Sequence, residues 1–260
     1  MTAVSGADAT SDATSDATTI DATTTADAVA ATTAAAAIAA TIIEAIMTTR
    51  AMRRFSDRPV ADADIETCLK AAQQGPSGGN VQPQQYVVVT DPAVRAQVGS
   101  LYQRAYHRYE KSLPEPTAFP DEAQAAAWRR TRDVSRHLAD HLGDVPALVL
   151  FLQPIIPWGS RDEDGPMDIG RLDASVYPAI QNFCVAARAM GLGTALTTVI
   201  RIHSAEVLHL LGVPNRDDGS ARFEIAALVP VGYPLGKFGV ASRKPAAAVT
   251  HWNRWGDKRR

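Results

Sequence analysis

The chain has 260 residues, 46% of them hydrophobic, which is enough for one domain with a substantial core. Its formal charge of -2 conceals an asymmetry: residues 1–40 carry five Asp and no Lys or Arg, so the rest holds 26 basic against 23 acidic residues, or +3. That surplus is too small for a nucleic-acid surface, and two cysteines without C-x-x-C spacing exclude a disulfide scaffold, so Cys68 and Cys184 read as reduced packing thiols.

Residues 1–37 are built mostly from Ala, Thr, Ser and Asp, with "ADAT", "SDAT" and "SDAT" in tandem from Ala7. Such a segment has too little apolar surface to offset its ordering entropy, and a disordered tail is expected. It lacks the positive start of a secretory signal and the arginines of a mitochondrial presequence, and no run of 18 strongly apolar residues follows. No membrane span and a cytoplasmic location are expected, with one domain over 38–260.

The helical pattern begins at "AAAAIAATIIEAIMTTR", with Ile38, Ile42, Ile43 and Ile46 on one stripe. "DADIETCLKAAQQGP" is a second helix, capped by Asp62, burying Ile65, Cys68, Leu69 and Ala72, and ended by Gly75-Pro76. "QYVVVT" reads as a strand and "DPAVRAQVGSLYQRAYHRYEKS" as a helix entered through Pro92. Residues 112–122 are loop-like, and "DEAQAAAWRRTRDVSRHLADHLGDVP" is a polar helix. "ALVLFLQ", apolar throughout, is expected in the centre of a sheet. A long helix from about Leu172 to Met190 contains Pro178, so a kink or a late start is expected. "GLGTALTTV" predicts a turn and a third strand, "SAEVLHLLGV" a short helix capped by Ser204, and "FEIAALVPVGYP" a fourth strand. The irregular alternation predicts an α+β domain with a small mixed sheet covered by helices on both faces.

Several motifs fail their context. "GLGT" at Gly191–Thr194 follows a helix, lacks a third glycine and opens no helix, so it is no dinucleotide fingerprint. No phosphate loop and no G-x-S-x-G elbow occur. His137 and His141 share a helix face, but "HLADH" lacks the Glu of a zincin and a third ligand, so no metal site is predicted and the pair reads as a solvated face.

Three clusters remain. "TTRAMRRF" places three arginines within five residues; "GPSGGNVQPQQYVVV" offers Ser77 and Asn80 with little bulk at the mouth of a strand; "TALTTV" and, later, "SRKPAA" supply strand-end hydroxyls and an isolated arginine. Arginines suited to a phosphate, a bulk-free polar loop and hydroxyls together describe a site for a flat, phosphorylated heterocycle.

"TTRAMRRFSDRPV", "GPSGGNVQPQQYVVVTDP", "AARAMGLGTALTT" and "VPVGYPLGKFGVASRKPAAAV", in this order, resemble the signatures of the FMN-dependent nitroreductase superfamily over about residues 42–250. The resemblance implies a homodimeric α+β flavoprotein, an FMN cofactor, NADH or NADPH as reductant, and a small-molecule electron acceptor such as a nitroaromatic or quinone. Arg50 and Arg53, with the Ala51 and Met52 backbone between them, would lie against the phosphate and ribityl chain. Arg53 is also the cation expected near N1 and O2, favouring the reduced flavin. Pro76, Ser77 and Asn80 would line the flavin from the other subunit, where bulk would collide with the flavin or the partner. Leu196, Thr197 and Thr198 would face the N5 and O4 edge, and Arg243 would close on the phosphate. Thr49 and Ala51 depart from the family's arginine and serine, shifting weight to Arg53, Arg54 and Arg243, and Gln84 replaces a frequent tryptophan. No dedicated catalytic acid or base is identifiable. The alternatives are a flavin-dependent dehalogenase or enone reductase, or a non-catalytic flavin-binding relative. Among these, the iodotyrosine deiodinase branch is similar at the C-terminal signatures, but its acid, tyrosine and lysine lid set has no match in residues 101–145.

Overall fold

The computed structural model describes residues 41–156, 160–167 and 170–259. The expected tail over 1–37 lies outside the described residues. By its contacts the chain divides into Met1–Ile46 and Met47–Arg260.

A four-stranded sheet organises the larger unit in the order β1-β2-β6-β5, every pair antiparallel. The strands are β1 (Gln85–Val89), β2 (Ala147–Pro154), β5 (Gly193–Thr194) and β6 (Phe223–Gly232). One parallel bridge, Ala51 to Thr194, supplies the mixed character expected of the sheet. β2 lies between β1 and β6, as an uninterrupted apolar run requires when both faces are covered.

The period of two along β2 sorts its side chains into two cores. Ala147, Val149 and Phe151 face a layer holding Ile65 and Cys68 of α2 (Asp62–Gln73) and Ile180 and Phe183 of α5 (Asp173–Ala189). Leu148, Leu150 and Leu152 face Val98, Tyr102 and Leu138 of α3 (Pro92–Glu110) and α4 (Glu122–His141). Each fully buried Leu or Phe contributes about 1.5–3 kcal/mol of apolar transfer, so both helical layers are held mainly through this strand. The tilt of Phe183 against Phe151, edge to face at 5.2–5.5 Å like that of Tyr86, adds directional packing.

Capping sets where the helices begin. Asp91 and Asp121 accept hydrogen bonds from the amides of Val94 and Gln124 at 2.9 and 2.8 Å, so α3 and α4 start where the sequence predicts. Asp62 is not the cap of α2: Ala61 holds that position, and Asp62 is the first helical residue, its charge favourable near the N-terminus. α5 runs through Pro178, which falls within the helix. Ser204 likewise is the first helical residue of α6 (Ser204–Leu210) and not its cap, a position held by His203, the last residue of a 3₁₀ turn at Val199–His203.

The third strand is shorter than predicted. Only Gly193 and Thr194 pair with β6; the chain then leaves the ladder, touches it again where Thr197 bridges Leu228, and turns into the 3₁₀ segment. A hairpin of β3 (Ser160–Asp162) and β4 (Gly165–Met167) was not anticipated. Earlier in the chain residues 41–48 form helix α1, and Ala246–Val249 form a short α7 near the end.

Candidate functional site

The arginine cluster is laid along the β5 edge. Ala51 bridges Thr194, the Met52 amide donates to the Thr194 carbonyl at 2.8 Å, the Leu235 amide donates to the Arg54 carbonyl at 3.0 Å, and Ser56 donates to Tyr233 at 2.9 Å. The strip is thus stitched between β5 and the chain leaving β6. Met52, buried, is its anchor: a Cβ at Gly193 would meet the Met52 Cβ at 3.0 Å and the Pro234 Cβ at 3.1 Å, so glycine lets the strip approach.

With Met52 fixed, Arg53 borders a cavity of about 200 Å³ together with Tyr102, Tyr106, Arg132, Leu196 and Thr197. The guanidinium of Arg53 is half-buried, and burial, opposed by the fields of Tyr102 and Tyr106, lowers its pKa from the usual arginine value. Among the described residues this guanidinium has neither a carboxylate partner nor a hydrogen bond, and the same is true of the exposed guanidinium groups of Arg50 and Arg54. A cation withdrawn from water without a counter-charge is the feature most in need of a ligand here.

The opposite wall comes from α3 and α4. Val98, Tyr102 and Tyr106 succeed one another at four-residue spacing, which places both tyrosines on one buried helical face. The Tyr102 and Thr197 hydroxyls are 3.0 Å apart, and the Val199 amide donates to Thr197 Oγ1 at 3.4 Å. Lower on the wall, Glu110 receives Arg132 Nε at 3.1 Å and Arg136 Nη2 at 2.6 Å. Burial opposes its ionisation, but the hydrogen bonds from Arg136 and Arg132 together outweigh it and hold the carboxyl below the usual glutamate value. Trp128 donates to the Pro114 carbonyl at 2.9 Å, tying the 112–122 loop to α4.

Two neighbouring cavities extend the site. Arg50 through Arg54 line one of about 260 Å³ with Val134, Gly236 and Lys237. Arg53 and Arg54 line another of about 250 Å³ with His137 and His141, whose ring centroids lie 4.4 Å apart at a tilt of 37°. Burial first, then the Arg54 and His141 charges, hold the His137 imidazole below its usual value. The histidine pair borders a cavity that also holds Asp57 and Asp144, and His141, exposed as the sequence predicts, lies 3.1 Å from Asp144 Oδ2. No group of three metal-ligating side chains occurs among the described residues.

The structure brings together Arg53, Leu196 and Thr197, and sets Arg50, Ala51, Met52 and Arg54 beside them. Thr198 is exposed at the start of the 3₁₀ turn. Pro76, Ser77 and Asn80 line none of these cavities. Their loop is closed on itself, Ser77 Oγ accepting from the Gln82 amide at 2.8 Å and Asn80 Oδ1 from Gln82 Nε2 at 3.0 Å. Gly79, Asn80 and Gln82 all take left-handed backbone, with φ of 57°, 54° and 47°, a region free to glycine, tolerated by Asn and uncommon for Gln. Arg243 is exposed and donates to the Ser242 carbonyl at 2.9 Å. Tyr102, Tyr106 and Arg132 were missed by sequence reasoning. Their helical spacing marks a buried face but does not say that the face borders a cavity.

These features define an α+β domain with an unneutralised arginine strip on a sheet edge, facing hydroxyls across a small aromatic-walled cavity. The family model described as the nitroreductase family matches residues 46–233, and the chain belongs to that family. A protein of Archaeoglobus fulgidus that carries the name NADH dehydrogenase/NAD(P)H nitroreductase is 27% identical over 194 residues, covering 74% of this chain and 84% of its own. Iodotyrosine deiodinase of Drosophila melanogaster is 24% identical over 197 residues, covering 74% of this chain and 62% of its own. A crystal structure of oxidized iodotyrosine deiodinase bound to FMN and 3-iodo-L-tyrosine superposes with a TM-score of 0.63 at 20% identity, covering 82% of this chain and all of that one.

Proposed function

We propose that this protein is a cytoplasmic, homodimeric FMN-dependent oxidoreductase that passes a hydride from NADH or NADPH to a nitroaromatic, quinone or related small acceptor. The observation that carries the reading is the half-buried Arg53 beside Thr197, on a strip with Arg50 and Arg54, none of the three guanidinium groups having a partner among the described residues. Bound FMN supplies the hydride-carrying chemistry. The residues fit such a group: a phosphate needs clustered cations, and an electron-rich ring edge needs a cation with hydroxyl donors.

Arg50 and Arg54, with Lys237 in the same cavity, hold the phosphate, and Arg243 closes on it. Ala51 and Met52 present backbone beside it. Arg53 stabilises negative charge that develops on reduction, in a setting where partial burial strengthens the interaction. Thr197 and Thr198 offer hydroxyls, and the exposed Leu196 gives apolar contact to the ring. Pro76, Ser77 and Asn80 act from the second protomer, a reading supported by their standing outside the arginine-lined cavities.

The homodimer is supported by apolar surface beyond β6: Leu235 is 69% and Trp255 90% exposed, and the last residues curl on themselves, with Arg259 stacked over Trp252 at 3.5 Å. A deiodinase-like outcome gains no support from the lid, since the Glu110 carboxylate is committed to Arg132 and Arg136. Titration of the flavin-free protein with FMN, followed by flavin fluorescence, tests the reading. Stoichiometric uptake is expected, and absence of uptake would overturn it.

A further inference from the structure

The contact between Tyr102 and Thr197 crosses from α3 to the β5–α6 connection, inside the cavity bordered by Arg53. Which hydroxyl donates decides what Thr197 shows to a ligand. Tyr102 is 3% exposed and has no other hydrogen-bond partner among the described residues. Were Thr197 to donate, the phenol proton would find no acceptor among the described protein groups, the costly arrangement for a polar group that is 3% exposed. With Tyr102 donating, both lone pairs of Thr197 Oγ1 are filled, one by the phenol and one by the Val199 amide. The Thr197 proton is then the one group left to point outward. Burial raises the Tyr102 pKa, opposed by its bond to Thr197 and by Arg53, so the phenol keeps its proton at neutral pH.

We infer that Tyr102 is a positioning residue that commits the Thr197 hydroxyl to donating its proton into the cavity beside Arg53. The ligand atom met there must accept a hydrogen bond. This rests on the FMN reading above, under which that atom is a ring carbonyl that gains negative charge on reduction. A donor held in place by a second hydroxyl needs no reorientation as the charge develops, and so favours the reduced form. Tyr102 lines the same cavity, and the effect assigned to it runs through Thr197.

The test is the two-electron midpoint potential of FMN bound to the full chain, measured in the native protein, Tyr102→Phe, Thr197→Val and the double variant. Tyr102→Phe is expected to hold stoichiometric FMN but to favour the reduced form about tenfold less, a fall of about 30 mV for a two-electron couple. In the Thr197→Val background the same change is expected to have no effect, because Tyr102 acts through Thr197. An unchanged or raised potential in Tyr102→Phe, or an equal fall in both backgrounds, overturns the inference and leaves the flavin assignment standing. A native protein that takes up no FMN overturns both. If Tyr102→Phe fails to fold, Thr197→Ser against Thr197→Val decides: the serine must keep the native potential and the valine must lose it.

Discussion

Replacing Arg53 with methionine separates a ligand-binding role from a structural one, because the two predict opposite signs. The guanidinium is half-buried, has no counter-charge among the described residues, and has its pKa lowered chiefly by burial, opposed by Tyr102 and Tyr106 and reinforced by Arg50. Removing that charge relieves desolvation and repulsion in the empty protein, so the melting temperature of the flavin-free variant is expected not to fall. In the complex the same change removes a charge-assisted interaction of about 1.5–3 kcal/mol. That corresponds to FMN binding weakened roughly ten- to hundredfold. In thermal unfolding at an FMN concentration near 100 Kd, the native protein gains about 2.7 kcal/mol from bound cofactor, and a tenfold loss of affinity removes about half of it. For a domain of this size, with about 2–4 °C per kcal/mol, the FMN-induced rise in Tm shrinks by about 3–5 °C. Scanning calorimetry with and without FMN, together with a fluorescence titration, reads both quantities. A variant that melts lower without FMN yet binds it as tightly as the native protein would refute the reasoning and make Arg53 a structural residue.

Gly75→Ala asks whether the small residues of "GPSGGN" serve packing or a ligand. A Cβ there would lie 2.8 Å from the Ala179 amide nitrogen of α5, a backbone atom that cannot move aside cheaply. About 1–3 kcal/mol of overpacking is expected, or roughly 3–10 °C in Tm, with FMN affinity of the folded protein unchanged. Lost affinity at unchanged Tm would contradict this. His137 is expected to titrate below 6.5 in an NMR pH series, and Arg54→Gln to move it back up. Because the unfolded chain binds that proton more readily, this contribution to stability is complete above the ordinary value and declines as pH falls through the window below it. A His137 that titrates at or above 6.5 would contradict the burial of its ring, and one left unmoved by Arg54→Gln would show that Arg54 does not reach it. Deleting residues 247–260 removes Trp252 and Trp255, worth about 2–4 kcal/mol if partly covered by a partner. Sedimentation is expected to show weakened dimers with reduced FMN content; a dimer retaining stoichiometric FMN would show that the tail does not cross.

What the sequence made legible was set by how strongly each segment's physics was local. "ALVLFLQ" could be placed between two strands because a run apolar on both faces has no other home, and α3 and α4 because Asp91 and Asp121 cap them directly. "TALTTV" misled because its β-branched residues favour a strand, whereas the chain leaves β6 after Thr194 and returns only at Thr197. The β3–β4 hairpin is polar and carries no alternation, although Asp164-Gly165 was a turn signal that could have found it. In the site, the arginines and hydroxyls stood out as clusters, and the structure places Arg53 with Leu196 and Thr197. The tyrosine wall did not, because Tyr102 and Tyr106 look like any buried helical face until α3 is set against the β5 edge. The self-closed loop at Ser77 and Asn80 depends on left-handed residues that no side-chain pattern announces.

As proposed, reducing equivalents pass from a nicotinamide through bound FMN to a small acceptor. Anaerobic addition of NADH or NADPH to the purified, FMN-loaded full chain, with visible absorbance recorded, tests it most directly. One equivalent of at least one nucleotide is expected to bleach the flavin, and a quinone or nitroaromatic then to restore its colour. Flavin that stays oxidised with both nucleotides, in protein that holds FMN stoichiometrically, would contradict the oxidoreductase reading and leave a flavin-binding protein without this turnover.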